Sequence, residues 1–178
     1  MGSGNSYICE QLSKLNDNVH NVDLDLLCHK VYDEENSDYK YVRTKILNEF
    51  GTLNRKKIGE IVFNNDLKLK SLNDIFRDPL KTLIREHCKN LKGLILINGA
   101  TLVSENYLNF VNNNIVFVDT DIQVRIERCN KKRNIPEDIL LKRDLKMKPI
   151  KEQISITRKK IASDSFGGYL VIKNKHCR

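Results

Sequence analysis

Three short apolar runs constrain this chain more than anything else in it. "KGLILINGA", "NNIVFVDTD" and "GGYLVIKN" each read as a strand buried on both faces, and long helix-forming stretches separate them. An earlier piece, "HNVDLDLL", reads as a shorter strand that ends in two acids, Asp23 and Asp25, before a helical stretch through Val31. Strands that alternate with crossovers long enough for parallel pairing predict a three-layer α/β fold.

The helices follow from apolar spacing. Ile8, Leu12 and Leu15 predict a helix from Asn5 to about Leu15. Val42, Ile46 and Phe50 share one face of "YKYVRTKILNEF", which Gly51 closes as a left-handed cap would. A third helix is expected from Arg55 to Phe63. A longer one runs from Asp66 to His87, where Pro79 should kink or split it. The last third predicts helices in "DIQVRIERCNKKR", in "PEDILLKRDLKM" with Pro136 in the first turn, and in "IKEQISITRKKI" with Ile150, Ile154 and Ile161 on one side.

With 178 residues the chain fits one domain, and 40% hydrophobic with 30% charged residues is the composition of a soluble globular protein. No apolar run approaches bilayer length, which argues against a membrane role. The start is too polar for a signal peptide, so the expected location is cytoplasmic. Five scattered cysteines with no CxxC pair argue for reduced thiols rather than disulfides or zinc. The net charge of +8 gathers in "CNKKRN", "LKRDLKMK" and "TRKK". That surplus fits either a solvated helix face or a phosphate grip. Nucleic acid is not expected as a partner, because the basic residues are not interleaved with stacking aromatics.

The opening "MGSGNSYICEQL" is a Gly-Ser-Gly turn feeding a helix. By itself it fits a flexible terminus as well as the end of a phosphate-binding turn. Asp23 and Asp25 fit a helix cap as well as catalysis, and Asp121 also fits a cap. His20, His87 and His176 show no partner spacing and are read as surface or structural residues.

In order along the chain, "NVDLDLLCHKVY" and "FGTLNRKKIGEIVFNNDLKLKSLNDIFRDPLKTLIRE" resemble dephospho-coenzyme A kinases, P-loop kinases of the nucleoside monophosphate kinase type. The points of likeness are Asp23 and Asp25, Phe50 with Gly51, Leu53 with Arg55, Phe63, and Asp78 with Pro79. "LVSEN", "IVFVDTDIQVRIER" and "YLVIKN" extend the resemblance to Asn174. It implies one domain over 1–178, with a helical substrate-binding insertion at about 30–90 and a lid at about 129–160. It also implies a P-loop kinase-like parallel sheet flanked by helices, with the first central strand missing. Gly4 stands at the second glycine of GxxxxGK[ST], Asn5 at the lysine and Ser6 at the hydroxyl. The first glycine and its strand would lie before Met1, so the expectation is an N-terminally truncated member with a degenerate loop.

The reaction the resemblance implies is transfer of the γ-phosphoryl of ATP to the ribose 3′-hydroxyl of dephospho-coenzyme A, giving coenzyme A. Gly2, Ser3, Gly4, Asn5, Ser6 and Tyr7 would bind the nucleotide, and Ser6 would ligate Mg²⁺. Asp25 would accept the hydroxyl proton. Arg128 and Arg133 would be catalytic lid arginines, with Asp23, Arg55 and Arg143 binding substrate. His29, Asp78 and Met147 depart from the family's arginine, histidine and glutamine. The missing lysine keeps two alternatives open: an inactive nucleotide- or coenzyme A-binding pseudokinase, and a kinase for another nucleotide.

Overall fold

The computed structural model describes residues 1–33 and 35–175, apart from the side chain of Arg133. Its elements, in chain order, are α1 (Asn5–Ser13), β1 (Val19–Asp23), α2 (Leu24–His29), α3 (Lys40–Phe50), α4 (Arg55–Asn64), α5 (Asp66–Cys88), β2 (Leu94–Asn98), β3 (Asn114–Asp119), α6 (Ile122–Arg133), α7 (Glu137–Leu145), α8 (Ile150–Asp164) and β4 (Gly168–Lys173). Short 3-10 turns precede α3 and β3. All four strands expected from apolar pattern are present. They pair parallel, β1 with β2 and β3 with β4, and helices fill both crossovers. No third strand joins either ladder among the described residues.

The chain divides into two compact units, one of residues 1–8 and 100–178, the other of residues 9–99. The second unit is mostly helical. Val42, Ile46 and Phe50 of α3 pack with Ile58 and Val62 of α4 and Leu83 of α5. The predicted end of α3 is there: Gly51 takes a left-handed φ of 67° and its N–H bonds the Leu47 carbonyl. Asn54 and Asn65 cap α4 and α5, each side chain accepting two backbone N–H groups.

Pro79 does not split its helix. α5 runs unbroken for 23 residues with the proline inside and buried. A proline removes one backbone bond, but here both halves of the helix are anchored on the same unit. Leu69, Leu72, Ile75 and Phe76 pack before it, and Leu80, Leu83 and Ile84 are buried after it.

The first unit is built on β3 and β4. Ile115 and Phe117 are buried with Val103 and Leu108, and Ile150 and Ile154 of α8 lie against them with Tyr169 and Val171. The expectation of strands buried on both faces fails here. Val116 and Leu170, register partners on the opposite face, are 55% and 57% exposed. A continuous apolar run hides this, because it reads the same whether one face or both are covered. Pro136 also sits one residue earlier than expected, as the N-cap of α7 rather than in its first turn.

Candidate functional site

The Gly-Ser-Gly turn is a built element of the first unit. Gly4 has a φ of 101°, and its carbonyl accepts the Ile8 N–H at 2.9 Å, the first bond of α1. A β-carbon on Gly4 would lie 2.7 Å from Nδ2 of Asn174, so any other residue would push that amide aside and strain the backbone. The Ser3 carbonyl accepts from Oγ1 of Thr120 and Nδ2 of Asn174, both at 2.8 Å, and from Nη1 of Arg128 at 3.4 Å. The same Nη1 donates to the Gly2 carbonyl at 3.2 Å, and Nη2 donates to Oδ1 of Asn174 at 3.2 Å. Thr120 directly follows β3 and Asn174 directly follows β4, so the turn lies at the C-terminal ends of two parallel strands. That is where open α/β sheets meet their ligands.

Asn5, at the lysine position, accepts a bond from the Ser3 hydroxyl at 3.1 Å through Oδ1. Ser6 and Tyr7 are exposed on the first turn of α1. Ser3 and Gly2 are half-buried. Of the expected lid arginines, Arg128 grips the turn from α6, whereas the side chain of Arg133 lies outside the described residues. Arg143, on α7, donates to Sδ of Met1 at 2.8 Å. A second strut joins α6 to α7, where Arg125 forms a two-pronged ion pair with Asp144.

In the second unit the two acids separate in role. β1 ends at Asp23, not at both acids, and Asp25 falls in the first turn of α2. One oxygen of Asp23 accepts the N–H groups of Asp25 and Leu26 at 2.9 and 3.2 Å. The other accepts Nδ2 of Asn98, at the end of β2, at 3.1 Å. Asp23 is therefore an N-cap tied to the neighbouring strand. The Asp25 carboxylate is exposed beside it, also at the C-terminal end of a parallel strand.

One helical turn further, burial and then the Asp25 carboxylate push the Cys28 thiol up to about 12, against an opposing effect from Arg55. Asp25, Cys28 and Arg55 are thus electrostatic neighbours. The Arg55 guanidinium stands over the Tyr32 ring at 5.6 Å, and that ring tilts against Phe76 at 5.8 Å. Among the described residues no carboxylate pairs with Arg55. An open cleft of about 490 Å³ in the same unit, lined by Glu35, Ser37, Lys40, Arg43, Thr44, Leu47 and Leu53, includes none of the expected site residues.

No group of three His, Cys, Asp or Glu residues among those described could hold a metal by itself. Mg²⁺ in phosphoryl-transfer sites rests largely on substrate phosphates and water, so it does not call for a closed cage of this kind. No helix among the described residues is long and apolar enough to cross a membrane. Sequence reasoning missed Thr120, Asn174, Asn98 and Tyr32. Each acts through a contact that no local spacing announces. His176 and Cys177 lie outside the described residues.

The family model for dephospho-CoA kinase matches residues 1–174. The chain belongs to the dephospho-CoA kinase family. Relatives include the dephospho-CoA kinases of Aquifex aeolicus, 30% identical over 86% of this chain and 80% of that protein, and of Lactobacillus johnsonii, 28% identical over 74% and 70%. The Fusobacterium nucleatum dephospho-CoA kinase is 27% identical over 87% of this chain and 78% of its own length. Among solved structures, TT1252 from Thermus thermophilus superposes with a TM-score of 0.71 at 18% identity, covering 99% of this chain and 85% of that one. That likeness shows the shared fold, an α/β arrangement of parallel strands flanked by helices. Two of the departures of this dephospho-CoA kinase family member lie on exposed surface, whereas Met147, just past α7, is half-buried. His29 ends α2 exposed, and exposed Asp78 pairs with Lys81 at 3.0 Å.

Proposed function

We propose that this chain transfers the γ-phosphoryl group of ATP to the ribose 3′-hydroxyl of dephospho-coenzyme A. The observation that carries the reading is the anchored turn at the N-terminus of α1 in a chain matched by the kinase family over 1–174. On the nucleotide side, the amides from Gly2 to Tyr7 would hold the phosphate tail, where unpaired helix donors and the helix dipole favour negative charge. Ser6 and the phosphates would hold Mg²⁺, which when bound offsets phosphate charge. Arg128 and Arg143 would add cationic groups beside the turn, and Arg133 would act as a third lid arginine.

On the acceptor side, Asp25 would take the 3′-hydroxyl proton. The bond from O3′ to the γ-phosphorus forms, the bond from that phosphorus to the β–γ bridging oxygen breaks, and ADP leaves. Asp23 would support Asp25 by fixing the first turn of α2, and Arg55 would bind anionic parts of the acceptor. The test is ATP-dependent formation of coenzyme A by the purified protein with Mg²⁺. Asp25→Asn should abolish it, and no product above background from the unmodified chain rejects the reading.

A second reading is favoured by one specific observation. Asn5 replaces the charged group that loops of this kind aim at the β- and γ-phosphates. Loss of one preorganised donor costs about 2–4 kcal/mol in the transition state, roughly a hundred- to thousandfold in rate. On this reading the protein binds nucleotide or coenzyme A without turnover. Calorimetry showing no saturable binding of either would remove it.

A further inference from the structure

We infer that Thr120 and Asn174 are positioning residues for the N-terminal turn, and that they act through the carbonyl of Ser3. The inference deepens the proposed function and rests on its reading of the turn as a phosphate site. A carbonyl oxygen has two lone pairs, yet this one receives three donors: Thr120 Oγ1, Asn174 Nδ2 and Arg128 Nη1. Two of these bonds are 2.8 Å. The donors are themselves fixed. Asn174 extends the β3–β4 ladder by one residue, its N–H bonding the Asp119 carbonyl at 2.8 Å, and Arg128 takes its Oδ1 so that Nδ2 faces Ser3. Thr120 is buried in the residue position just past β3.

The consequence follows from peptide geometry. In a planar trans peptide the C=O and the next N–H point in opposite directions. Holding the Ser3 carbonyl against the strand ends therefore turns the Gly4 N–H away from Thr120, Asn174 and Arg128. Holding the Gly2 carbonyl on Arg128 does the same for the Ser3 N–H. Two successive amides so turned form the kind of concave donor pair that takes an anion. The orientation is enforced from behind by side chains separated from Ser3 by 117 and 171 positions in sequence. Gly4, with no β-carbon to strike Nδ2 of Asn174, lets the arrangement close. The ligand class is a nucleoside triphosphate, recognised through its phosphate tail.

The experiment compares Thr120→Val, which keeps shape and removes the donor, with Thr120→Ser, which keeps the donor. ATP and dephospho-coenzyme A are titrated separately into each variant by calorimetry. The loss of one bond on this carbonyl should weaken ATP binding about fivefold in Thr120→Val. Thr120→Ser should stay within about twofold, and dephospho-coenzyme A affinity should not move in either. Thr120→Val combined with Asn174→Ala should weaken ATP further. The ratio of the two affinities is unaffected by any misfolded fraction, which titration stoichiometry reports separately. A chain that binds ATP equally well with threonine, valine or serine at position 120 overturns the positioning role alone. An unmodified chain that takes dephospho-coenzyme A but no ATP overturns the phosphate reading and this inference with it.

Discussion

Replacing Gly4 with alanine tests the turn at its tightest point. Two costs add. A residue with a β-carbon held at a φ of 101° is strained by about 1–3 kcal/mol. The new carbon would also sit 2.7 Å from Nδ2 of Asn174. That amide is the end of a side chain and can retreat, but only by giving up its 2.8 Å bond to the Ser3 carbonyl, a loss of about 0.5–1.5 kcal/mol. The sum is about 1.5–4.5 kcal/mol, confined to the unit that holds β3 and β4. Native-state amide hydrogen exchange at Phe117 and Ile172 reads the opening of that ladder, and exchange at Val22 and Leu96 serves as an internal comparison. Gly4→Ala should speed the first pair and leave the second unchanged. In an Asn174→Ala background the hydrogen-bond part should vanish, so Gly4→Ala should cost about 1 kcal/mol less there. An alanine variant whose β3 and β4 amides exchange as slowly as the parent's refutes the reasoning, because the turn would then not be packed against Asn174.

Three further outcomes are expected. With the Cys28 thiol pushed up to about 12, only about one part in ten thousand is thiolate at pH 8, so alkylation by iodoacetamide should be far slower in the native protein than in urea and should rise about tenfold per pH unit up to about pH 11; equal rates at pH 8 contradict it. The Asp164 carboxyl is held below its ordinary value of 3.8 first by its bond from Lys160 and then by the Asn113 amide. A depressed folded value means stabilisation that is complete above the unfolded value and lost as pH falls through the folded one, so acid melting of the parent below about pH 4 should be shallower in Asp164→Asn. Arg55→Met should raise KM for dephospho-coenzyme A about tenfold or more at unchanged KM for ATP, and Tyr32→Leu about two- to fivefold, which initial-rate kinetics would separate.

The fold was legible in proportion to how local its signals are. β3 and β4 could be read from six residues apiece, and α3 from Val42, Ile46 and Phe50 plus the glycine that stops it. Pro79 misled for the same reason. Its local rule is correct, and burial of the leucines on either side overrides it. The exposure of Val116 and Leu170 was invisible, because covering a strand is a property of what lies above it and not of its own residues.

The site divides along the same line. Asp23 and Asp25 were legible as a pair because two residues of spacing placed them at the end of one strand, but nothing in that spacing says which is a cap. The structure separates them through Asn98, whose amide lies 75 positions away and claims the second oxygen of Asp23. The turn shows the same limit more sharply. Gly-Ser-Gly by itself is compatible with a loose terminus, since glycine permits positive φ without requiring it. What fixes the turn is a set of donors delivered by the ends of two strands and the side of α6, brought together only when β3 and β4 pair in register. A register shift of one residue would move Asn174 relative to Thr120 and pull the converging donors off Ser3. The ladder therefore does more than support the turn: its register decides whether the amides of Ser3 and Gly4 face a ligand at all.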